Sequence, residues 1–208
     1  IVGGSLGLLN LGPSENRRSK KNKANMSYAI SPISKEGTRL IGAAESLIEP
    51  FRSRSYAADR ANEIDAENYH DLQRVGIASA FVPEELGGFG LQSIHDWMLT
   101  IVTLARGDGS AAIAISMHLS ATRGLADLYH RSEPSSAAYK RAKDILEAVA
   151  RKEMLICSTT TERGNDNLHP LTEVTACEEG WRLNGAKNFV TMSSLATHVA
   201  TNVRMRDR

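Results

Sequence analysis

Between Ser34 and Pro50 apolar residues recur at the three- and four-residue spacing that puts them on one helix face: Leu40, Ala44, Leu47 and Ile48. Pro50 lacks the amide proton needed to continue the ladder, so the run is expected to stop there. A second helix is predicted from about Ala66 through Leu72 and Val75, with Gly76 as its stop. Val82-Pro83-Glu84-Glu85-Leu86-Gly87-Gly88-Phe89-Gly90 holds one proline and three glycines in nine residues, a density that excludes regular structure. Ser93 then caps a third helix with Asp96 near its positive end. Ile94, Trp97, Met98, Ile101, Val102 and Ala105 form a single apolar stripe expected to face a core. Ser110 opens a fourth helix in which 111–122 carries no formal charge unless His118 is protonated, the pattern of a helix buried nearly all round. A fifth starts at Ser136, with Tyr139, Ala142, Ile145, Leu146 and Val149 inward and Lys140, Arg141, Lys143 and Asp144 outward.

The pattern changes near Glu153. Runs 154–161, 173–177, 181–183, 188–191 and 198–203 are short and β-prone, and Glu179-Gly180 and Asn184-Gly185 between them are turn signals. The predicted fold class is therefore α+β: an all-α bundle in residues 27–152 followed by an incomplete antiparallel β domain in 153–208. A sheet with so few strands has an unclosed edge, which either another chain or further residues of this one would cover, and the second is the favoured expectation. Residues 1–26 are expected to be a disordered leader, with Met26 as a candidate start.

Composition narrows the class only modestly. The chain has 208 residues, enough to bury a sizeable core, and 25 Lys+Arg against 24 Asp+Glu leave it at +1. The leader holds Arg17, Arg18, Lys20, Lys21 and Lys23 against Glu15, a net +4, so the rest of the chain stands at −3. Neither nucleic acid nor a membrane surface is expected as a partner of such a chain. No run of 18 apolar residues suggests a membrane span. Cys157 and Cys177 lack the paired spacing of a metal knuckle or redox motif and are read as inert thiols of a reduced, cytoplasmic compartment. His70, His95, His118, His130, His169 and His198 show no i, i+3 or i, i+4 pairing among themselves, so no metal ligands are nominated.

The chemistry lies in five blocks: Asp59-Arg60; the loop 82–90; Leu104-Ala105-Arg106-Gly107-Asp108-Gly109-Ser110; Ser158-Thr159-Thr160-Thr161-Glu162; and Leu183-Asn184-Gly185-Ala186-Lys187-Asn188-Phe189-Val190-Thr191. In this order and spacing they resemble the acyl-CoA dehydrogenase superfamily over roughly residues 33–203. The likeness covers its N-terminal helical domain and part of its middle β domain, without its C-terminal helical domain. A branch of the same scaffold, the monooxygenases similar to dibenzothiophene monooxygenase, often differs in the loop after Thr161-Glu162. Here too that loop departs from the family pattern, reading Arg163-Gly164-Asn165-Asp166-Asn167.

The resemblance implies FAD as cofactor, bound through hydroxyls at Ser158, Thr161 and Thr191 and an aromatic wall at Phe189, where the family usually has tryptophan. A flavin edge needs uncharged hydrogen-bonding groups and an apolar wall, and short strands supply both. It also implies that Ile113 and Met117 face the substrate, that Asn165 and Asp166 replace the family's usual pair on the CoA side, and that the intact enzyme is a homodimer or homotetramer. The family reaction is α,β-dehydrogenation of an acyl-CoA or similar thioester. Its catalytic base belongs to the C-terminal region, so no catalytic residue is nominated here and the fragment is expected to be inactive. The alternatives are a flavin-dependent monooxygenase and a non-catalytic helical interaction module. His118 is read as a satisfied buried imidazole.

Overall fold

Ser34 begins the helical part: its Oγ accepts the Gly37 amide at 2.9 Å, capping α1 (Lys35–Ala61) in a computed structural model that describes residues 30–205. The expected leader lies outside the described residues. Pro50 does not end α1, contrary to expectation; the helix continues for eleven residues beyond it, to Ala61. An interior proline costs about 3 kcal/mol, and Phe51 and Arg54 in the next turn compensate for it. Phe51 is fully buried, and Arg54 donates to Asn68 Oδ1 at 2.9 Å and Asp71 Oδ2 at 2.6 Å on the next helix. Burying a side chain such as Phe51 contributes roughly 1.5–3 kcal/mol, and the two Arg54 bonds add to it.

Asp65 caps α2 (Ala66–Arg74), and Gly76 at φ 84° turns the chain into two 3-10 turns, Ile77–Ser79 and Glu84–Leu86. Apart from the 3-10 turn at Glu84–Leu86, which the sequence did not lead one to expect, the loop 82–90 is irregular and folds back on itself. Gly88 N donates to Pro83 O at 3.1 Å, Phe89 N to Ser79 O at 3.2 Å and Gly90 N to Val82 O at 2.8 Å. A Cβ on Gly88 would fall 2.1 Å from Val82 O, so this return path requires glycine.

The helix α3 (Ile94–Ala105) has the predicted bounds and the Ser93 cap, but its most buried face is a polar one, while Trp97 and Ile101 of the predicted stripe pack partly buried against the core. Asp96, Thr100, Thr103 and Leu104 are buried, while Ile94, Met98 and Val102 are exposed. Asp96, Thr100 and Thr103 are each satisfied, whereas the buried Trp97 Nε1 on the same helix has no partner among the described residues. Asp96 accepts from the Ile33 and Ser34 amides at 2.9 and 3.1 Å and from Ser34 Oγ at 2.6 Å; Thr100 and Thr103 donate to the carbonyls of Asp96 and Leu99. Burial pushes the Asp96 carboxyl up, but those hydrogen bonds outweigh it and hold the group below its ordinary range.

The long helix α4 (Gly109–Arg131) packs on α3, on α5 (Ala137–Ala150) and on the first strand. It is not buried all round: Ile113 and Leu128 are exposed, and Met117 is half-buried. In α5 the predicted inward residues Ala142, Leu146 and Val149 are fully covered, and Tyr139 and Ile145 partly so.

The strands are β1 (Ile156–Thr159), β2 (Glu173–Cys177), β3 (Gly180–Asn184), β4 (His198–Thr201) and β5 (Arg204–Met205). The antiparallel pairing expected of hairpins is found between β2 and β3, whereas β1 with β4 and β2 with β5 join segments distant in sequence and run parallel. No strand forms at 188–191, because Phe189 at φ 56° and Met192 at φ 72° leave the extended region. His118 fastens the helices to β1: it is fully buried, one ring nitrogen meets Ala78 O at 2.9 Å, and the other accepts the Ile156 amide at 3.0 Å. Burial outweighs these two bonds and pushes its pKa down to about 4, so the ring is neutral at pH 7. Cys157 is buried beside it in the core and Cys177 half-buried in β2.

Candidate functional site

Where the end of α1, the start of α2 and the start of α4 meet, they enclose a cleft of about 420 Å³. Its lining includes Asp59, Glu63, Asp65, Tyr69, Asp108, Ile113 and Thr191, and no lysine or arginine among the described residues. Two of the carboxylates are there for structural reasons. Asp65 Oδ1 caps α2 through the Glu67 amide at 2.9 Å, and Asp108 Oδ1 caps α4 through Ser110 and Ala111 at 2.9 and 3.1 Å. Asp108 Oδ2 also accepts from Asn68 Nδ2 at 3.2 Å. Asp59 and Glu63 are exposed on the rim with no ion pair among the described residues. Tyr69 is 2% exposed, and its hydroxyl has no hydrogen-bond partner among the described residues. Burial, and secondarily the Asp108 charge, push the phenol above its ordinary range.

Two nominated residues, Thr191 from the flavin side and Ile113 from the substrate side, therefore line one cavity. Met117 stands one turn beyond Ile113 on the outward side of α4 but does not line it. Ser158 and Thr161 lie on or just past β1, tied to the segment that carries Phe189: Asn188 N donates to Thr161 O, and Thr159 Oγ1 to Asn188 O, both at 2.9 Å. The hydroxyls of Ser158, Thr161 and Thr191 make no hydrogen bond among the described residues. Phe189 is 82% exposed and in the left-handed region. An apolar ring held in solvent by a backbone that costs about 1–2 kcal/mol marks a place where strain and exposure serve something other than the fold. Uncommitted hydroxyls beside an open aromatic ring fit the edge and face of an isoalloxazine.

The nominated pair Asn165 and Asp166 is engaged in its own loop. Asp166 Oδ1 accepts from the Leu168 and His169 amides at 2.8 and 2.9 Å and meets His169 Nδ1 at 2.9 Å, while Asn165 Nδ2 donates to His169 O. The group that organises this region is Glu162, for which no role was expected. Its buried carboxylate pairs with Lys187 Nζ at 2.8 Å and accepts from Thr172 N at 2.8 Å, Thr172 Oγ1 at 2.5 Å and Leu171 N at 2.5 Å. The Lys187 ammonium and the Thr172 hydroxyl hold it well below the usual carboxylate range. Lys187 also reaches Asn202 Oδ1 at 2.8 Å, so one ion pair joins the Thr161 segment, the loop and the Phe189 segment. A signal existed: Glu162 and Lys187 both fall inside the motif blocks.

A larger recess of about 840 Å³ lies between the loop 82–90 and α4. No nominated residue lines it, and its charges are mixed, with Arg123 and His130 facing Glu84, Glu85 and Asp127. Among the described residues no group of three His, Cys, Asp or Glu could hold a metal ion, and no helix is long and apolar enough to cross a membrane.

Residues 43–129 match the family described as acyl-CoA dehydrogenase, N-terminal domain. Over those residues the chain is similar to that domain. Among curated relatives, the amino sugar nitrososynthase DnmZ of Streptomyces peucetius is 29% identical over 85% of this chain and 42% of its own length. The putative acyl-CoA dehydrogenase YdbM of Bacillus subtilis is 25% identical over 78% of this chain and 42% of its own. Among solved structures, KijD3 in complex with FMN and a dTDP-3-amino-4-keto sugar superposes with a TM-score of 0.76 at 26% identity, over 86% of this chain and 42% of that one. The chain thus spans about 42% of the length of these relatives. Its helices and small sheets correspond to the N-terminal part of the acyl-CoA dehydrogenase fold.

Proposed function

We propose that this chain supplies the flavin- and substrate-facing walls of a flavin-dependent monooxygenase that oxygenates a nitrogen atom of a small molecule. The observation that carries the reading is the shared cleft, which Thr191 and Ile113 at the start of α4 line together. Ser158 and Thr161 would serve the flavin edge and Phe189 its face. The relatives point to the same chemistry, because two of those matched at 28–29% identity are amino sugar nitrososynthases. When bound, a reduced flavin supplies two electrons to dioxygen, so that an amine, dioxygen and the reduced cofactor give a hydroxylamine, water and the oxidised cofactor. The FAD implied by the family resemblance and the FMN of the KijD3 complex share the isoalloxazine these residues fit. Glu162 and Lys187 would hold the two flavin-facing segments in register.

A second reading, dehydrogenation of an acyl thioester, is favoured by relatives such as YdbM and by the outward apolar pair Ile113 and Met117 on α4. The two separate in one pair of assays on the intact enzyme. With a reduced flavin, an amino sugar should stimulate oxygen uptake and give a hydroxylamine. Under the second reading, saturated acyl-CoA should instead reduce an artificial acceptor and the amino sugar should do nothing. Flavin binding is tested separately by titrating the 208-residue chain with FMN and FAD, wild type against Thr191→Val. Undiminished flavin affinity in the variant removes Thr191 from the site.

A further inference from the structure

We infer that the cleft between α1, α2 and α4 is a subsite for a cationic amine, with Asp59 and Glu63 as its counter-charges and the Tyr69 hydroxyl as its buried acceptor. The inference rests on the reading of the site as one for a nitrogen-bearing substrate and names how that nitrogen is recognised. Four carboxylates line the cleft, Asp59, Glu63, Asp65 and Asp108, without a lysine or arginine among the described residues. Asp65 and Asp108 are committed to helix caps, and Arg54 sits 3.9 Å from Asp65 Oδ2, whereas Asp59 and Glu63 have no such partner among the described residues. Low-dielectric walls around charge of one sign focus the field on whatever enters.

Tyr69 is the independent sign of a ligand. A buried hydroxyl without a partner loses its bonds to water for nothing, and such groups are rare in folded proteins. Tyr69 and Asp108 line the same cleft, and the Asp108 charge acts on this phenol. A protonated amine brings three donors: two for the rim carboxylates and one for the phenol oxygen. An anionic ligand, such as a CoA or nucleotide phosphate, would meet repulsion here and must lie elsewhere.

The experiment uses the 208-residue chain and two probes of one shape, D-glucosamine and D-glucose, with binding followed by ligand-observed NMR. Glucosamine should bind at least about 5-fold more tightly than glucose, the preference that one or two partly exposed charge pairs give. The double variant Asp59→Asn, Glu63→Gln should erase that preference without changing the melting temperature, because both side chains are exposed. Tyr69→Phe should weaken glucosamine about 3- to 10-fold, the usual effect of one buried hydrogen bond, and should leave the fold as stable or more so, since the removed hydroxyl bonds nothing. Equal binding of the two sugars, or a preference that survives the double variant, overturns the inference. Flavin titration of the same samples keeps the two ideas apart. A chain that binds FMN or FAD but shows no amine preference refutes the subsite alone, and one that prefers the amine but binds neither flavin refutes the functional reading alone.

Discussion

Gly37 and Gly42 lie five residues apart in α1, and the same substitution should move stability in opposite directions at the two sites. A Cβ on Gly42 would have nothing within 4 Å, so Gly42→Ala gains the helix-propensity difference, about 0.5–1 kcal/mol. A Cβ on Gly37 would fall 2.2 Å from Asp96 Oδ2 and 2.3 Å from its Cγ, on a buried carboxylate fixed by three hydrogen bonds rather than a flexible tip. Relief requires Asp96 to withdraw from Ile33 and Ser34. Hydrogen bonds to a charged group contribute about 1.5–3 kcal/mol each, so losing two outweighs the propensity gain of about 1 kcal/mol and leaves Gly37→Ala destabilised by about 2–5 kcal/mol. Urea unfolding followed by far-UV circular dichroism measures both variants against wild type. The slope should stay constant while the midpoints move apart. If Gly37→Ala is as stable as Gly42→Ala, α3 does not press its buried aspartate against α1, and the account of its polar buried face fails.

Three further outcomes are expected. His118 resists protonation down to a pKa of about 4, whereas in the unfolded chain it takes a proton near 6.5. Stability should therefore be intact above pH 6.5 and fall toward pH 4 at a limit of roughly 1.4 kcal/mol per pH unit. His118→Leu should lose this slope relative to wild type, while costing about 2–4 kcal/mol at pH 7 by stranding Ile156 N–H and Ala78 O. Phe189→Gly should raise the stability of the chain without flavin by up to about 1 kcal/mol, since glycine accepts the left-handed backbone freely, and should weaken flavin binding; parallel melts and flavin titrations check both signs. Glu162→Gln and Lys187→Met should each lower the melting temperature, with the double variant recovering part of the loss because it leaves no unpaired buried charge.

The parts of the fold legible in the sequence share a physical basis. Local rules set α2, α3 and α5, because Asp65, Ser93 and Ser136 accept the amides that begin those helices within three residues of themselves. The same local rule misplaced the end of α1, since the features that carry the helix past Pro50 are the burial of Phe51 and the grip of Arg54 on α2, both tertiary. Periodicity located the apolar stripe of α3 but not its most buried face. That face is polar and is tolerated only because Asp96 meets residues 62 and 63 positions earlier in the chain. The candidate site divides likewise. Thr191 and Ile113 could be named from motif and resemblance, one by one. The cleft that unites them could not, because its walls come from four segments between Ser55 and Thr191. Asp65 and Asp108 were not singled out in the sequence, and the structure shows Asp108, rather than Ser110, capping α4: a carboxylate that satisfies a helix start still projects its charge into the space beside it. The charge of a site can therefore be a by-product of how its helices begin, which is why an acidic cleft can form in a chain whose net charge is only +1.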